Sequence, residues 1–207
     1  MAELLLSGPS DSEWTFLLAH GAGAPMDSPF MEAIAHGLAE RGIQVVRFEF
    51  AYMAKRREDG KKRPPSSGNK LLQEWRDIFA EAPKTAKVAV GGKSMGGRLA
   101  SMLADKLGAD ALVCLGYPFH PPGKPEKLRT EHLQDLKTPS LIAQGERDTF
   151  GKREEVETYT LSSTISVEWL PDGDHSLKPR KKSGHTEAEN LTQTCDLIHN
   201  FFQALSS

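Results

Sequence analysis

Apolar runs alternate along the chain with stretches in which apolar residues recur every three or four positions. Several of the runs lack the polar alternation of a strand that has one solvent-exposed face. They lie at residues 14–19, 43–50, 87–91, 111–115 and 140–144. Such runs are typical of parallel strands that helices cover on both faces. Apolar and polar residues do alternate at residues 165–169, and this pattern predicts a strand near the edge of the sheet.

The stretches between the runs have the periodicity of amphipathic helices and the residues that favour helix ends. Ser28 followed by Pro29 is typical of a helix start, and Thr186 with Glu189 has the spacing of a capping box. The apolar faces of the predicted helices are expected to pack in the core. They comprise Phe30, Ile34 and Leu38; Leu71, Leu72, Trp75, Ile78 and Phe79; Leu99, Met102, Leu103 and Leu107; and Leu191, Cys195, Ile198 and Phe202.

Strands that alternate with helices predict right-handed crossovers and a mostly parallel sheet. The predicted fold class is α/β, a three-layer αβα sandwich with about six or seven strands in its sheet. The length of 207 residues and the hydrophobic content of 38% suit a single domain over residues 1–207. Residues 51–68 and 117–139 interrupt the pattern, and both segments are interpreted as loop insertions near the rim of a candidate functional site. The second segment is expected to surround a short helix near residues 126–136.

The composition excludes several classes of protein. The formal net charge of −2 gives no reason to expect binding to nucleic acid or to an anionic membrane. The apolar stretch near the N-terminus is too short for a signal peptide, and no segment approaches the ~20 apolar residues of a membrane span. Cys114 and Cys195 lie in apolar patterns and are expected to be buried thiols. We therefore expect a cytoplasmic protein, monomeric or homodimeric, that needs no metal or other cofactor.

Two short segments are strongly basic although the whole chain is not. Residues 55–63 contain six basic and two acidic side chains, and residues 178–182 contain four basic side chains. Both segments follow predicted strands on the side where ligands of open α/β sheets bind. Two interpretations stay open. The segments are solvated charge runs, or they form a basic rim that attracts an anionic substrate.

One serine lies between a predicted strand and a predicted helix in the pattern Gly-x-Ser-x-Gly, at residues 92–96. A nucleophile requires such a setting, because a sharp turn lifts the serine hydroxyl above the edge of the sheet. Only very small side chains fit at Gly92 and Gly96, where the strand and the helix crowd together. Ser94 is therefore the candidate nucleophile. A phosphate-binding loop is excluded, because that motif needs a glycine where Lys87 stands.

This motif, in its strand–turn–helix setting, resembles the nucleophile turn of the α/β-hydrolase superfamily, and the resemblance covers nearly the whole chain. That superfamily orders its catalytic residues along the chain as serine, acid and histidine. The resemblance implies that Asp148 is the acid and that His175 is the general base. Each of them follows a predicted strand. Glu146 and Asp174 remain alternatives for the acid.

The segment His-Gly-Ala-Gly-Ala at residues 20–24 resembles the oxyanion loop of the same superfamily. The resemblance implies that the backbone amides of Ala22 and Met95 stabilise the oxyanion. His20 is expected to hold this loop by hydrogen bonding rather than to act as a base. The predicted pocket residues are His20, Gly21, Lys93, Tyr117, Phe119 and His120. Solvent exposure is expected for the histidines in helical or polar stretches, which are His36, His132, His185 and His199.

Large members of the superfamily carry a lid, for which only residues 116–139 are available here. The resemblance therefore implies a small, lidless member with a minimal cap and a shallow, open site. It also implies a serine hydrolase of the carboxylesterase or thioesterase type, which would cleave an ester, thioester or small amide through an acyl-enzyme. The expected partner is a small-molecule acyl substrate.

An interaction module is the alternative to an enzyme. The His-Gly-Ala-Gly-Ala and Gly-Lys-Ser-Met-Gly-Gly motifs also resemble a small subgroup of hydrolase-like proteins. That subgroup includes testis-expressed hydrolase-like proteins and a subunit of the non-specific-lethal chromatin complex, which serves as a scaffold. A fold of this kind can persist after catalysis is lost, so a catalytically weak or inactive module stays open.

Overall fold

A seven-stranded sheet forms the centre of the computed structural model, which describes residues 3–207. Its strands are β1 (Leu4–Ser7), β2 (Trp14–Ala19), β3 (Gln44–Phe48), β4 (Lys87–Lys93), β5 (Ala111–Leu115), β6 (Ser140–Gly145) and β7 (Ile165–Leu170). The spatial order is β1-β3-β2-β4-β5-β6-β7, and every neighbouring pair is parallel except β1 with β3. The predicted α/β class and mostly parallel sheet are confirmed.

Helices cover both faces of this sheet, because the strands are apolar on both sides and need cover on both. The helices are α1 (Pro29–Ala39), α2 (Ala51–Asp59), α3 (Gly68–Glu81), α4 (Met95–Ser101), α5 (Ala104–Leu107), α6 (Arg153–Val156) and α7 (Glu187–Ser206). Thr186 and Glu189 form the predicted capping box at the start of α7. Within residues 3–207, none of the helices is long and apolar enough to cross a membrane.

Two hydrophobic cores lie on opposite faces of the sheet. On one face, α1 and α7 pack against the strands through side chains that include Ile34 and Phe202. On the other face, α3 and α4 pack through Trp75 and Leu99. Cys114 and Cys195 are buried free thiols, as predicted, and each lies in a different core. The two helical layers and the sheet between them form the predicted three-layer sandwich.

The two edge strands differ in how well their sequences predict them. The edge position of β7 agrees with its alternating pattern, because Ser166 is exposed while its neighbours are partly buried. The opposite edge strand, β1, is missing from the sequence prediction. It has only four residues, too few to show a period, and its antiparallel pairing with β3 defines it.

The segment at residues 51–68 is not wholly a loop, which corrects the sequence prediction. Residues 51–59 form α2, in which Tyr52 is buried. The Arg57 side chain on α2 bonds to Asp27 at 2.8 Å and to Glu49 at 2.6 Å. These contacts with distant segments stabilise a polar helix whose own sequence lacks a long apolar stripe. Only residues 60–67 are irregular.

Two further helical predictions are corrected. The stripe that ends near Leu107 belongs to two short helices, α4 and α5, with a break at residues 102–103. The break occurs where Leu103 N donates to Ala100 at 2.9 Å, a tighter turn than the α-helix makes. Within residues 117–139 the structure has a single 3₁₀ turn, Glu131–Leu133, in place of the short helix that the pattern at 126–136 indicated.

The sequence segments that carry the candidate chemistry meet at one edge of the sheet. His20 follows β2, Ser94 follows β4, Asp148 follows β6 and His175 follows β7. Because these four strands are parallel, their carboxyl ends lie side by side. The topology therefore gathers residues that are far apart in the chain into one place.

Candidate active site

Ser94 lies at the junction of β4 and α4 in a backbone conformation that few residues other than glycine adopt. Its φ is 50° and its ψ is −113°. The Ser94 backbone N–H donates to the Leu115 carbonyl at 2.9 Å, and the Ser94 carbonyl accepts from Arg98 N at 3.0 Å. The sheet and the helix thus hold the turn from both sides, which sustains a conformation that is unfavourable on its own.

Glycines allow the strand and the helix to approach each other at this turn. A Cβ atom at Gly92 would lie 2.3 Å from the Ala19 carbonyl oxygen, and one at Gly96 would lie 2.6 Å from the His20 carbonyl oxygen. Real Cβ atoms do not come so close to backbone atoms. The glycine pattern is therefore a steric requirement of the sharp turn.

A chain of hydrogen bonds links three side chains from three separate loops. His175 Nε2 lies 2.8 Å from Ser94 Oγ, and His175 Nδ1 lies 2.8 Å from Asp148 Oδ2. The Asp148 carboxylate is fully buried. It also accepts from Gln144 Nε2 and from the Phe150 backbone N–H, each at 2.9 Å. The fixed carboxylate can hold the imidazole in the tautomer that presents a lone pair to the serine.

The two alternative acids lie in other networks. Glu146 accepts from the Asp172 backbone N–H at 2.9 Å and pairs with Arg153 at 3.4 Å. Asp174 accepts from the Ser176 backbone N–H at 2.8 Å and shapes the turn around His175. Neither carboxylate bonds to an imidazole in residues 3–207, whereas Asp148 bonds to that of His175.

Phe150 is a site residue that the sequence did not reveal. Its ring stacks on the His175 imidazole with centroids 4.1 Å apart and planes 26° from parallel. The stack covers one face of the ring and restricts its rotation. The one sequence signal for this contact was that Phe150 stands two residues after Asp148. This spacing brings the Phe150 ring back toward the histidine.

The loop at residues 20–24 faces the candidate nucleophile. A Cβ atom at Gly21 would lie 3.7 Å from Ser94 Cβ, so the loop packs directly against the serine. Met95 is the first residue of α4, where helix amides lack acceptors of their own. Across residues 3–207, no protein group accepts from the backbone N–H of Ala22 or of Met95. Both amides are available to bind an anionic oxygen.

His20 bonds to this loop from inside the protein. Its buried ring bonds through Nδ1 to the Gly21 carbonyl at 2.6 Å and accepts at Nε2 from the Phe50 backbone N–H at 3.1 Å. Burial lowers the pKa of His20 below its ordinary value. Tyr52 on α2 donates from its hydroxyl to the Ala22 carbonyl at 3.0 Å. Helix α2, which the sequence did not predict, therefore fixes the peptide that follows Ala22, whereas His20 holds the peptide that presents the Ala22 amide through the Gly21 carbonyl.

An open cavity of about 370 Å³ lies in front of Ser94. Phe30, Met31 and Phe150 form apolar parts of its wall, and Lys93 is also in the wall. The remaining lining residues are Gly21, Ala22, Gly23, Ala24, Ser28, Ser94, His175 and Ser176. The cavity can take an apolar group of modest size with a polar end directed at the serine.

Four predicted pocket residues do not line this cavity, and the prediction is wrong for them: the buried His20, and Tyr117, Phe119 and His120. Tyr117 is buried and donates from its hydroxyl to the Arg129 carbonyl at 2.9 Å. Phe119 packs edge-on against Tyr117 with ring centroids 4.8 Å apart. His120 bonds to the Pro121 carbonyl at 2.9 Å. The loop after β5 turns into the protein, so the aromatic wall comes from Phe30 on α1 and from Phe150 in the loop after β6.

Lys93 does line the cavity, as predicted, and its ammonium group contacts the loop of the histidine. Lys93 Nζ donates to the His175 carbonyl oxygen and lies 5.5 Å from the centre of the Phe30 ring. Burial lowers the pKa of Lys93 to about 8, although the charges of Asp148 and Asp174 act in the opposite direction. Lys93 is the residue directly before the candidate nucleophile.

The two basic segments contribute little free charge to the site. Arg57 and Arg63 of residues 55–63 form ion pairs, and so do Lys178 and Arg180 of residues 178–182. The described lining of the cavity contains no side chain of either segment. The other six basic side chains of the two segments form no ion pair within residues 3–207, but they lie outside the described wall of the cavity, so both interpretations of the segments stay predictions. In the range 3–207, no group of three or more His, Cys, Asp or Glu side chains could hold a metal ion.

The strained serine turn, the hydrogen-bonded histidine and carboxylate, and the surrounding parallel sheet together define an α/β-hydrolase arrangement. Residues 12–203 match the sequence model of a family described as "Alpha/beta hydrolase domain". The chain therefore belongs to the α/β-hydrolase family.

Solved structures with a similar fold cover almost the whole chain. A serine hydrolase without a lid from Xanthomonas campestris is 19% identical, with a TM-score of 0.68 over 97% of this chain and 88% of that one. Dienelactone hydrolase from Anabaena variabilis is 21% identical, with a TM-score of 0.71 over 97% of this chain and 90% of that one. Est1E from Butyrivibrio proteoclasticus, solved with ferulic acid bound, is 13% identical. Its TM-score is 0.70 over 97% of this chain and 95% of that one. At these identities the similarity establishes the fold alone.

Proposed function

We propose that this chain is a serine hydrolase that cleaves an ester, a thioester or a small amide through an acyl-enzyme on Ser94. The observation that carries the proposal is the continuous chain of hydrogen bonds from Ser94 through His175 to Asp148 beside an open cavity. With the Nδ1 proton donated to Asp148, Nε2 is left as an acceptor for the serine proton. A general base requires this arrangement.

In the first half of the reaction, Ser94 Oγ attacks the acyl carbon while His175 Nε2 takes its proton. The amides of Ala22 and Met95 bind the oxyanion of the tetrahedral intermediate. The protonated imidazole then gives its proton to the leaving group, which departs from the acyl-enzyme. In the second half, His175 takes a proton from the water that attacks the acyl carbon, and it then gives this proton to Ser94 Oγ as the carbon–oxygen bond breaks and the acid leaves. Each oxyanion donor is expected to contribute about 3 kcal/mol to lowering the barrier.

The cavity supports a small substrate with an apolar portion. Phe30, Met31 and Phe150 would contact that portion, and the wide opening suits a lidless enzyme rather than one that encloses a long lipid. The only cation in the described lining is Lys93, so an anionic substrate would depend on this residue and not on the basic segments. Cytoplasmic location, a monomeric or homodimeric state, and kinship with the testis-expressed and chromatin-complex subgroup stay predictions of the sequence.

A fluorophosphonate probe tests the proposal directly, because it reacts with a serine only when a base activates the hydroxyl. We expect wild-type protein to label and Ser94→Ala protein to remain unlabelled. Ser101→Ala is the matched control, because Ser101 lies on the same helix and also bonds to a histidine. It should label like the wild type. A folded, monodisperse wild-type sample that does not label would favour the inactive interaction module.

The substrate class requires a second measurement. Hydrolysis of short p-nitrophenyl esters, thioesters and anilides, each with the Ser94→Ala protein as background, would rank the three acyl classes. A comparison of neutral and carboxylate-bearing esters at low and high salt would test for an anionic preference. Turnover that persists in Ser94→Ala would refute the acyl-enzyme on Ser94.

A further inference from the structure

The residue directly before the nucleophile contacts the main chain of the base. Lys93 ends β4, and its Nζ donates to the carbonyl oxygen of His175, which lies in the loop after β7. Throughout residues 3–207, the main chain of His175 makes no other hydrogen bond with protein. Asp148 and Phe150 position the imidazole, but neither of them bonds to the backbone that carries it.

The structure has a space reserved for this contact. Gly116 follows β5 with φ of 63°, and a Cβ atom there would lie 2.6 Å from the His175 carbonyl and 2.8 Å from Lys93 Nζ. Any larger residue would displace one partner or the other. The Phe30 ring on the cavity side lies 5.5 Å from the ammonium group, which is a favourable position for a cation.

Burial of a lysine charge is unfavourable unless the protein supplies compensating partners. Here the compensating groups are the His175 carbonyl, the Phe30 ring and the negative charges of Asp148 and Asp174. All of these partners belong to the site itself. A lysine placed only for solubility would extend into water.

We propose that Lys93 is a positioning residue, whose ammonium group tethers the His175 loop to the nucleophile strand and so maintains the distance between Ser94 and His175. The inference rests on the proposed hydrolase function. A charge-assisted hydrogen bond of this kind contributes to transition-state geometry, so its loss should lower kcat about 10- to 100-fold. KM for a neutral ester should stay unchanged, because Lys93 is not assigned to hold the substrate.

The test uses p-nitrophenyl acetate and three variants of the full chain. Lys93→Met removes the donor and the charge at similar length, whereas Lys93→Arg keeps both and should restore part of kcat. Lys87→Met is the matched control, because Lys87 lies on the same strand and also donates to a carbonyl beside an aromatic ring, in addition to an ion pair with Glu13. Its Nζ donates to the Leu205 carbonyl at 3.0 Å and lies 5.4 Å from the Trp14 ring centre. It is remote from the site, so its variant should keep the wild-type kcat.

The pH profile supplies a readout that a purely structural role would not change. The charged groups that act on Lys93 are Asp148 and Asp174, with His175 charged during turnover. Since burial lowers the pKa of Lys93 to about 8, the wild-type kcat should decline as pH rises through that value. Lys93→Met should lack this decline. Lys93→Arg should retain its kcat at pH values above the pKa of Lys93, because a guanidinium stays protonated there.

Failure of this inference can be distinguished from failure of the proposed function. An inactive, unlabelled wild type would refute the hydrolase itself. An active wild type with equal kcat in Lys93→Met would refute the tether alone, and so would a rise in KM at constant kcat. If Lys93→Met does not fold, the deciding measurement is kcat as a function of pH above the pKa of Lys93, compared between the wild type and Lys93→Arg. Identical profiles for these two proteins would overturn the proposal.

Discussion

The molecule contains two serine–histidine pairs whose contact distances are the same. Ser94 Oγ lies 2.8 Å from His175 Nε2, and Ser101 Oγ lies 2.8 Å from His132 Nε2. The two serines flank a single helix, because Ser94 is the residue before α4 and Ser101 is its last residue. Distance alone therefore does not distinguish a candidate nucleophile from a structural hydroxyl.

The direction of each hydrogen bond separates the two pairs. Ser101 Oγ donates its one proton to the Arg98 carbonyl at 2.7 Å, so the proton between Ser101 and His132 belongs to the histidine. The hydrogen bond between Ser94 and His175 has the opposite direction. Asp148 accepts the Nδ1 proton of His175, so Nε2 is left to accept the proton of the serine hydroxyl. The partner on the far side of the imidazole decides which serine can lose its proton.

The surroundings of the two pairs differ as well. Ser94 lines a cavity, whereas Ser101 is only 2% exposed. Burial, with a smaller contribution from the charge of Arg98, lowers the pKa of His132 to about 4. A neutral histidine without a carboxylate partner and without access to substrate is a structural donor. The first pair thus differs from the second in three features that it has together: a carboxylate partner, an opening to solvent and a strained turn.

The largest expected effect comes from reversing the polarity of the first pair. Asp148→Asn would offer a donor to Nδ1 of His175 and would place the proton on Nε2, which is the arrangement in the second pair. We expect kcat to fall about 10⁴-fold, as for a triad held in the wrong tautomer. Steady-state hydrolysis of p-nitrophenyl acetate, corrected for the Ser94→Ala background, measures this loss.

The control for this prediction lies in the second pair. His132→Gln removes an imidazole that bonds to a serine but keeps a donor, and it should leave kcat unchanged. A large loss of kcat in His132→Gln with intact folding would show that the second pair participates in catalysis. Retention of activity in Asp148→Asn would mean that Asp148 does not set the tautomer.

A smaller effect is expected on stability, and it comes from the second pair. The pKa of His132 in the folded state is about 4, below the ordinary value of 6.5, so between these values the unfolded chain binds the proton and the folded protein does not. The contribution of His132 is therefore complete above pH 6.5 and is lost as pH falls toward 4. With allowance for its partial exposure, the loss should be about 2 kcal/mol.

Urea unfolding of wild type and His132→Gln between pH 7.5 and 4 measures this contribution. The difference between their free energies of unfolding should shrink as the pH falls, while the carboxylates that both proteins share cancel. Parallel curves would show that His132 gains its proton as easily in the folded protein as in the unfolded chain.

The features that the sequence predicted well are local ones. The strands appear as continuous apolar runs because both their faces are buried, and the turn at Ser94 appears as glycines because the steric requirement lies within five residues. The order of Ser94, Asp148 and His175 along the chain then identified which loops to compare. These signals depend on the residue and its immediate neighbours.

The features that the sequence missed depend on contacts between distant segments. Helix α2 contacts distant segments through the bonds of Arg57 to Asp27 and Glu49, and none of these partners is visible as a period. His132 is partly buried against Ser101 instead of exposed, because the 3₁₀ turn that carries it packs on α4. The inward path of the loop after β5 is fixed by Gln144, whose side chain bonds to Tyr117 N at 2.7 Å.

The smallest predicted effect concerns two tyrosines that make the same kind of bond. Tyr52 donates to the Ala22 carbonyl at 3.0 Å beside the first pair, and Tyr117 donates to the Arg129 carbonyl at 2.9 Å beside the second. Tyr52→Phe should lower kcat about 2- to 10-fold, the effect of one neutral hydrogen bond, because the peptide that follows Ala22 loosens and the neighbouring Ala22 amide loosens with it. KM should change little.

Tyr117→Phe is the matched comparison, with the same atom removed from a bond of the same type. It should lower the melting temperature at least as much as Tyr52→Phe, because Tyr117 is the more deeply buried of the two, and it should leave kcat unchanged. Because the two substitutions are chemically identical, a difference in kcat can arise only from the loop to which each acceptor carbonyl belongs. Equal kcat values in the two variants would remove Tyr52 and helix α2 from the support of the oxyanion loop.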